Sequence, residues 1–312
     1  MSSVSGKRWL TSKDAARLLG VSEASVKRWT DGGLLLSEKT AGGHRRFRPE
    51  DVALFRRERG LSVEQRARAT SSVIQLRKRP DAAVTVSKGD FASLPDLFEA
   101  LVGGRAEESS ALLINAYLQG HNLASLFDGA LAKAMHRVGK LWYEGKLSVA
   151  QEHIATRTAL SVTHTLRGVI EVPEENGLLA MCCGTEDDFH ELPAQCVQVL
   201  LESEGWSVLN LGPNTPFFAL SEATEQRAPR LVCISSTILH NLDRAVREYK
   251  EFTDIAHRVG AAVVLGGASF SGASIRKRFP AELHADTFQQ LLKFANALTS
   301  ERQHTQADAP WH

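Results

Sequence analysis

Apolar positions follow two rhythms along this chain, and the change falls between residues 172 and 177. Before it, apolar residues recur at the spacing of one helix face; after it, short continuous apolar runs alternate with helical stretches, the pattern of a parallel sheet wound with helices. At the amino-terminal end, Thr11 caps a short helix, Lys13 to Leu19, that stops at Gly20. Ser22 caps a second, Glu23 to Thr30, stopped by Gly32-Gly33. Ala15, Leu18, Leu19, Val21, Val26 and Trp29 are the expected core of this helix-turn-helix. Leu34 to Leu36 and Arg46 to Arg48 predict a hairpin turning at Thr40-Ala41-Gly42-Gly43, and Pro49-Glu50-Asp51 starts a third helix, Val52 to Arg59.

Residues 61–90 lose this order. They are rich in Arg, Ser, Thr and Ala, include Arg77-Lys78-Arg79-Pro80, and read as a linker with at most a helix over Glu64 to Leu76. Residues 91–172 then carry four helical runs: Phe91, Leu94, Leu97, Phe98 and Leu101; Leu112, Leu113, Ala116 and Tyr117; Leu123 to Leu141; and Val149, Ile154, Leu160, Val162 and Leu166. Gly103-Gly104, Gly120-His121 and Gly145-Lys146 separate them, which predicts a four-helix bundle. Residues 177–298 read as a doubly wound, Rossmann-like α/β domain with strands at Leu178 to Cys183, Ser207 to Leu211, Leu231 to Ser235, Ala262 to Leu265 and Leu283-His284. Helices are expected from Leu192, over Leu242 to Arg258, over Ser274 to Phe279 and over Thr287 to Leu298, with a disordered tail at 299–312 and at Met1 to Lys7.

Composition narrows the function. The net charge is +1, but Lys and Arg outnumber Asp and Glu in the first 80 residues and the reverse holds beyond. A basic head on an acidic body predicts a polyanion partner for the head. No apolar run is long enough to span a membrane and no secretory leader is apparent, so a cytoplasmic protein is expected. The four cysteines, Cys182, Cys183, Cys196 and Cys233, sit in apolar patterns without a CxxC pair, which predicts buried reduced thiols rather than a zinc site.

Two groups of residues carry candidate chemistry. Ser25, Lys27 and Arg28 face outward on the second helix, which would enter the major groove, and His44, Arg45 and Arg46 follow the hairpin tip, where they would grip phosphate or minor groove. In the body, the first strand runs into an acidic loop, Glu186, Asp187 and Asp188, ending on His190. That loop lies at the carboxyl end of a parallel strand, where ligands bind in such sheets, and Asp188 is spaced to hold one ring nitrogen of a metal-ligating imidazole.

The head resembles the winged helix-turn-helix of MerR-family regulators through Thr11-x-x-x-Ala15-Ala16, Leu19-Gly20-Val21-Ser22, Val26-x-x-Trp29 and Gly42-Gly43-His44-Arg45-Arg46-Phe47. Excisionases share the pattern but lack a large sensor domain. The chain lacks the long dimerising helix and metal-binding cysteines of the family's metal sensors, so oligomerisation must arise elsewhere.

Asp188-Phe189-His190-Glu191-Leu192 resembles the Asp/Glu-x-His-x-x-Gly signature of cobalamin-binding domains, with Pro193 at the family's Gly. The resemblance implies that His190 is the lower ligand to cobalt. Ser235-Ser236-Thr237 resembles the family's Ser-x-Leu/Thr, which implies contacts from Ser235 and Thr237 to the displaced base. Gly266-Gly267 resembles the pair beside the nucleotide tail, and Leu211 to Pro216 matches a further loop. In the bundle, Trp142 and Glu152-His153 have the spacing of the residues that cover the upper face in light-responsive cobalamin repressors of the CarH/LitR kind. Those members often carry His after the Trp; here it is Tyr143, so a two-histidine light state is not implied, and His136, His153 and His164 stay open as substitutes.

Together these resemblances imply a DNA-binding repressor, not an enzyme, that binds adenosylcobalamin between bundle and sheet, acts on a double-stranded operator as a dimer or tetramer, and loses avidity in light at photoprotection genes. Three alternatives stay open: the same scaffold with heme, a bilin or no cofactor; a corrinoid methyl-transfer protein; and a regulator whose sheet domain binds an antirepressor protein.

Overall fold

Capping decides where the first helices begin. In the computed structural model, which describes residues 9–40, 42–59 and 95–307, the Thr11 hydroxyl accepts the Asp14 amide at 3.1 Å and Asp14 returns the bond to the Thr11 amide at 3.1 Å. This reciprocal box starts α1 (Ser12–Leu19). The Ser22 hydroxyl caps α2 (Glu23–Asp31) by accepting the Ser25 amide at 3.2 Å, without a return bond. Ala15, Leu19 and Val26 are buried between the two helices, while Leu18, Val21 and Trp29 are half-buried.

The hairpin departs from expectation. Leu34 to Leu36 is not a strand, because both the Leu34 and the Leu35 amides donate to the Trp29 carbonyl, at 2.8 and 3.2 Å, as the chain wraps the end of α2. Gly33, at φ +71°, makes that reversal possible. The strands are β1 (Leu10–Thr11), β2 (Glu38–Lys39) and β3 (Arg45–Phe47), antiparallel in the order β1-β3-β2. The turn falls at the expected tip, where the Gly43 amide donates to the Thr40 carbonyl at 2.8 Å. Then α3 (Pro49–Glu58) closes the head.

The linker over 61–90, its candidate helix, and Met1 to Lys7 lie outside the described residues, as do Phe91 and Leu94 of the first bundle run. The bundle comprises α4 (Pro95–Val102), α5 (Ala106–Leu118), a third run, and α8 (Val149–Val169). That third run is not one regular helix. It is α6 (Leu123–Ser125), a π-helical turn over Leu126–Leu131 and α7 (Ala132–Tyr143). Leu97, Leu101, Leu113, Phe127, Val138, Val162 and Leu166 are buried in the bundle core. Val149 and Ile154, counted as apolar members of the fourth run, are exposed.

The chain divides into two compact units at Glu171 and Val172, and the second holds the sheet. Its strands are β4 (Leu179–Thr185), β5 (Ser207–Thr215), β6 (Leu231–Ser235), β7 (Ala262–Gly266) and β8 (Leu283–Ala285), all parallel in the order β5-β4-β6-β7-β8. Connecting helices are α9 (Leu192–Glu202), α10 (Phe217–Arg227), α11 (Leu242–Arg258), α12 (Ala273–Arg278) and α13 (Phe288–Ala307). Met181, Cys183, Val232, Val263 and Leu265 pack against Phe217, Tyr249, Phe252 and Phe279 on one side of the sheet. The strand order reverses at β4, so the crevice that doubly wound sheets use for ligands opens at the carboxyl ends of β4 and β6.

Three expectations are corrected here. β5 does not end at Leu211 but continues irregularly to Thr215, with register shifts against β4. Helix α10 was not anticipated, because its apolar residues form no single stripe. Residues 299–307 are helical rather than irregular, as α13 continues to Ala307 and Glu301 on it pairs with Arg230 at 3.3 Å, while 308–312 lie outside the described residues.

Candidate functional site: a braced histidine at the sheet mouth

The β4–α9 loop holds its shape through a buried carboxylate. The Asp188 side chain is 2 % exposed. One of its oxygens meets His190 Nδ1 at 2.5 Å and accepts the His190 amide at 3.0 Å. The other accepts the amides of Thr237, at 2.5 Å, and Ile238, at 3.3 Å, from the loop after β6. Burial pushes the Asp188 carboxyl up, but the bonds from the His190 ring and from the Thr237 and His190 amides outweigh it and hold the group below its ordinary range. Asp188 therefore fixes one imidazole and joins the two loops that flank the topological switch point.

Neighbouring loops brace the same turn. The Asp187 amide donates to Asn214 Oδ1 and the Asn214 amide to the Asp188 carbonyl, both at 2.9 Å. Glu186 pairs with Arg244 of α11 at 2.9 Å. Thr185 and Ser236 share a hydroxyl bond at 2.9 Å beneath the loop. Pro193 stands in the first turn of α9, where its missing amide costs nothing.

His190 itself is 53 % exposed. Exposed apolar side chains, Phe189 and Ile238, flank the residues that brace it. Among the described residues no three His, Cys, Asp or Glu side chains converge as a protein-only metal cage would require. A single oriented imidazole on an apolar rim instead suits a metal that brings its own flat macrocycle.

The other expected contacts divide. Thr237 is exposed and reaches the site through its amide. The Ser235 hydroxyl donates to the Cys183 carbonyl at 3.4 Å, and it is the adjacent Ser236, missed in the sequence, that is buried under the loop. Gly267, at φ +97°, has no room for a side chain, since a Cβ there would lie 2.4 Å from the Ser236 carbonyl oxygen. Gly266 is tight as well, against the Ala285 carbonyl. Gly267 thus lets the end of β7 close on the segment after β6, Gly266 lies against β8, and no open slot at Gly267 is left by its missing side chain.

In the bundle, Trp142 is half exposed near the end of α7 and Tyr143 more so. Glu152 and His153 form a loose pair at 3.5 Å in the first turn of α8, and Glu152 also accepts the Thr156 hydroxyl at 2.8 Å. His136 and His164 are exposed.

In the head, Lys27, Arg28 and His44 are exposed. The Ser25 hydroxyl is shared with the Ser22 cap at 3.0 Å. Arg45 does not extend outward: its guanidinium pairs with Asp31 at the end of α2, which ties the wing to the recognition helix. Arg46 is half-buried, with Nη1 on the Arg45 carbonyl at 3.3 Å.

Comparison with known proteins agrees with this division. Residues 9–60 match a helix-turn-helix domain family, and residues 94–167 and 181–282 match two B12 binding domain families. The chain is therefore a helix-turn-helix protein joined to a helical and an α/β B12-binding domain. It is 25% identical over 258 residues to the HTH-type transcriptional repressor CarA of Myxococcus xanthus, covering 81% of this chain and 84% of that one. It is 27% identical over 290 residues to the repressor CarH of the same organism, covering 82% and 87%. The fold of the Methanosarcina barkeri monomethylamine corrinoid protein is similar, with a TM-score of 0.53, 16% identity, and coverage of 64% of this chain and 95% of that chain. No helix among the described residues is long and apolar enough to cross a membrane.

Proposed function

We propose that this chain is a transcriptional repressor that binds adenosylcobalamin and releases its operator in light. The observation that carries the reading is His190 Nδ1 at 2.5 Å from buried Asp188, at the carboxyl end of β4, where the strand order reverses. A carboxylate on one ring nitrogen fixes the tautomer and raises the basicity of the other, so His190 is the residue that would hold the cobalt. Trp142, Glu152 and His153 are the bundle residues proposed to meet the cofactor's upper side. Ser235, Thr237, Gly266 and Gly267 are proposed near its displaced tail. When bound, such a cofactor supplies a cobalt–carbon bond that light can break.

The chain's own residues supply the rest. Lys27, Arg28 and His44 contact the operator, Arg45 holds the wing, and Arg46 lies beside it. Copies of the chain associate as a dimer or tetramer, so that several heads gain avidity for repeated sites. The similarity to two repressors over most of the chain supports the regulatory reading.

The test is the absorption spectrum of protein supplied with adenosylcobalamin, in darkness and after illumination, beside gel-shift and sedimentation measurements. A corrinoid spectrum that changes with light, together with operator release and a smaller assembly, is expected. Absence of corrinoid bands after reconstitution rejects the cofactor; bands without any light effect on DNA binding reject the sensor.

A corrinoid methyl carrier is the second reading. It is favoured by the fold shared with the monomethylamine corrinoid protein and by 24% identity over 177 residues to a Methanosarcina mazei dimethylamine corrinoid protein. The DNA-reading head argues against it, and methyl transfer to a thiol acceptor is the assay that separates the two.

A further inference from the structure

Arg56 is one of two charged residues, with Asp188, that are buried among the described residues. It lies on α3 of the head, yet its recorded partners belong to the bundle. Its Nε is 3.0 Å from Glu171 Oε1, just beyond the end of α8. Neither atom has a hydrogen bond, so the contact is coulombic rather than a directed bond. The guanidinium also lies over the Tyr117 ring of α5, 5.5 Å from its centre, and the Tyr117 hydroxyl accepts the Glu171 amide at 3.0 Å. Next to it, Arg57 Nη1 donates to the Gly168 carbonyl in the last turn of α8 at 2.7 Å. A guanidinium at the carboxyl end of a helix is favoured by the helix dipole and by the unsatisfied carbonyls there.

We infer that the head and the bundle form one docked body through a clasp of Arg56, Glu171 and Tyr117, and that α8 thereby sets the pose in which the head reads DNA. Burying a guanidinium is costly without a partner, and Glu171 is that partner. Docking leaves the DNA-reading side open, since Lys27, Arg28 and His44 stay exposed. The clasp is selective rather than strong. An ion pair out of hydrogen-bond line offsets little more than its own desolvation. The seam also borders a half-open cleft of about 340 Å³ lined by Trp9, Arg48, Glu50 and Asp51 from the head and by Glu107 and Thr165 from the bundle. Burial and neighbouring carboxylates push the Glu50 carboxyl up there, a sign that the seam is not closed by ideal pairing. Helix α8 carries Glu152 and His153 in its first turn and the clasp at its far end, so a shift of that helix reaches the head without passing through the linker. The inference rests on DNA binding by the head and not on the identity of the cofactor.

The test uses the full chain with spin labels at Lys13→Cys in the head and Lys133→Cys in the bundle, diluted with unlabelled protein to remove distances between copies. The four native cysteines are buried and do not compete for label. One narrow distance is expected in the parent, and a broad distribution in Arg56→Ala and in Glu171→Gln. The second variant lies outside the head, so it reads the clasp even where Arg56→Ala disturbs head folding. A broad distribution in the parent, or the parent's narrow distance kept in Glu171→Gln, overturns the inference; loss of the narrow peak in Glu171→Gln supports it.

Discussion

Asp188 and Thr237 are 49 residues apart in sequence, yet the Thr237 amide donates to Asp188 Oδ2 at 2.5 Å. The bond closes the mouth of the sheet between β4 and β6 and leaves the other carboxylate oxygen for His190. A variant that cannot accept both should disorder the histidine without touching the fold's core. Asp188→Ala is expected to weaken corrinoid binding by roughly 10–100-fold, the usual loss when a carboxylate behind a metal-ligating imidazole is removed. Spectroscopic titration measures this, and a circular-dichroism melt establishes that the domain is still folded. Unchanged affinity would mean that His190 is oriented by something else.

Gly267→Ala tests the reassigned glycine pair. A Cβ at 2.4 Å from the Ser236 carbonyl oxygen must displace backbone, and φ +97° is itself unfavourable for alanine. The expected cost is on the order of 1–3 kcal/mol or more in urea unfolding of the full chain. Gly266→Ala, which meets the Ala285 carbonyl at 3.3 Å, should cost less. Equal stability of parent and Gly267→Ala would return the glycine to a purely ligand-facing role.

The head separates contact from support. Lys27 and Arg28 are exposed on α2, so Lys27→Ala and Arg28→Ala should each lower the slope of log affinity against log salt by about 1 for a phosphate contact, with no change in melting temperature. Arg45 is paired with Asp31, so Arg45→Ala should lower both operator affinity and head stability. Melting curves beside gel shifts at several salt concentrations make the distinction, and an unchanged melt for Arg45→Ala would put that side chain back on DNA.

The capping box at Thr11 gives a pH prediction. The Thr11 hydroxyl, with help from Arg17 and despite partial burial, holds the Asp14 carboxyl below its ordinary value of 3.8. A depressed carboxyl adds stability above its unfolded value, and that stability is lost as pH falls through the lower folded value. The head should therefore keep the benefit near neutral pH and lose it only below 3.8. Thr11→Ala should cost about 1 kcal/mol at neutral pH and shrink the difference from the parent in acid. A constant difference across pH would dissociate the cap from the carboxylate.

Much of this was readable from residue spacing. Thr11 and Ser22 gave the helix starts because caps are local, and Asp188 gave its bond to His190 because two residues separate them. What depends on strand order was not readable. No pattern ties Asp188 to the Thr237 amide until β6 is known to lie beside β4, and the burial of Ser236 beneath the loop depends on how β6 ends. Arg45 and Arg56 show the same limit: as members of a basic run both look like surface residues, and only Asp31 and Glu171, brought in by tertiary structure, draw them inward.

The sealed cysteines have a practical use. Burial pushes the Cys183 thiol up to about 12 and Cys233 higher still, so almost no thiolate is present near neutral pH. Alkylating reagents attack the thiolate. Iodoacetamide should therefore modify Cys183 and Cys233 only during rare openings of β4 and β6, and the rate of carboxamidomethylation at those two residues becomes a clock for how often that part of the protein comes apart.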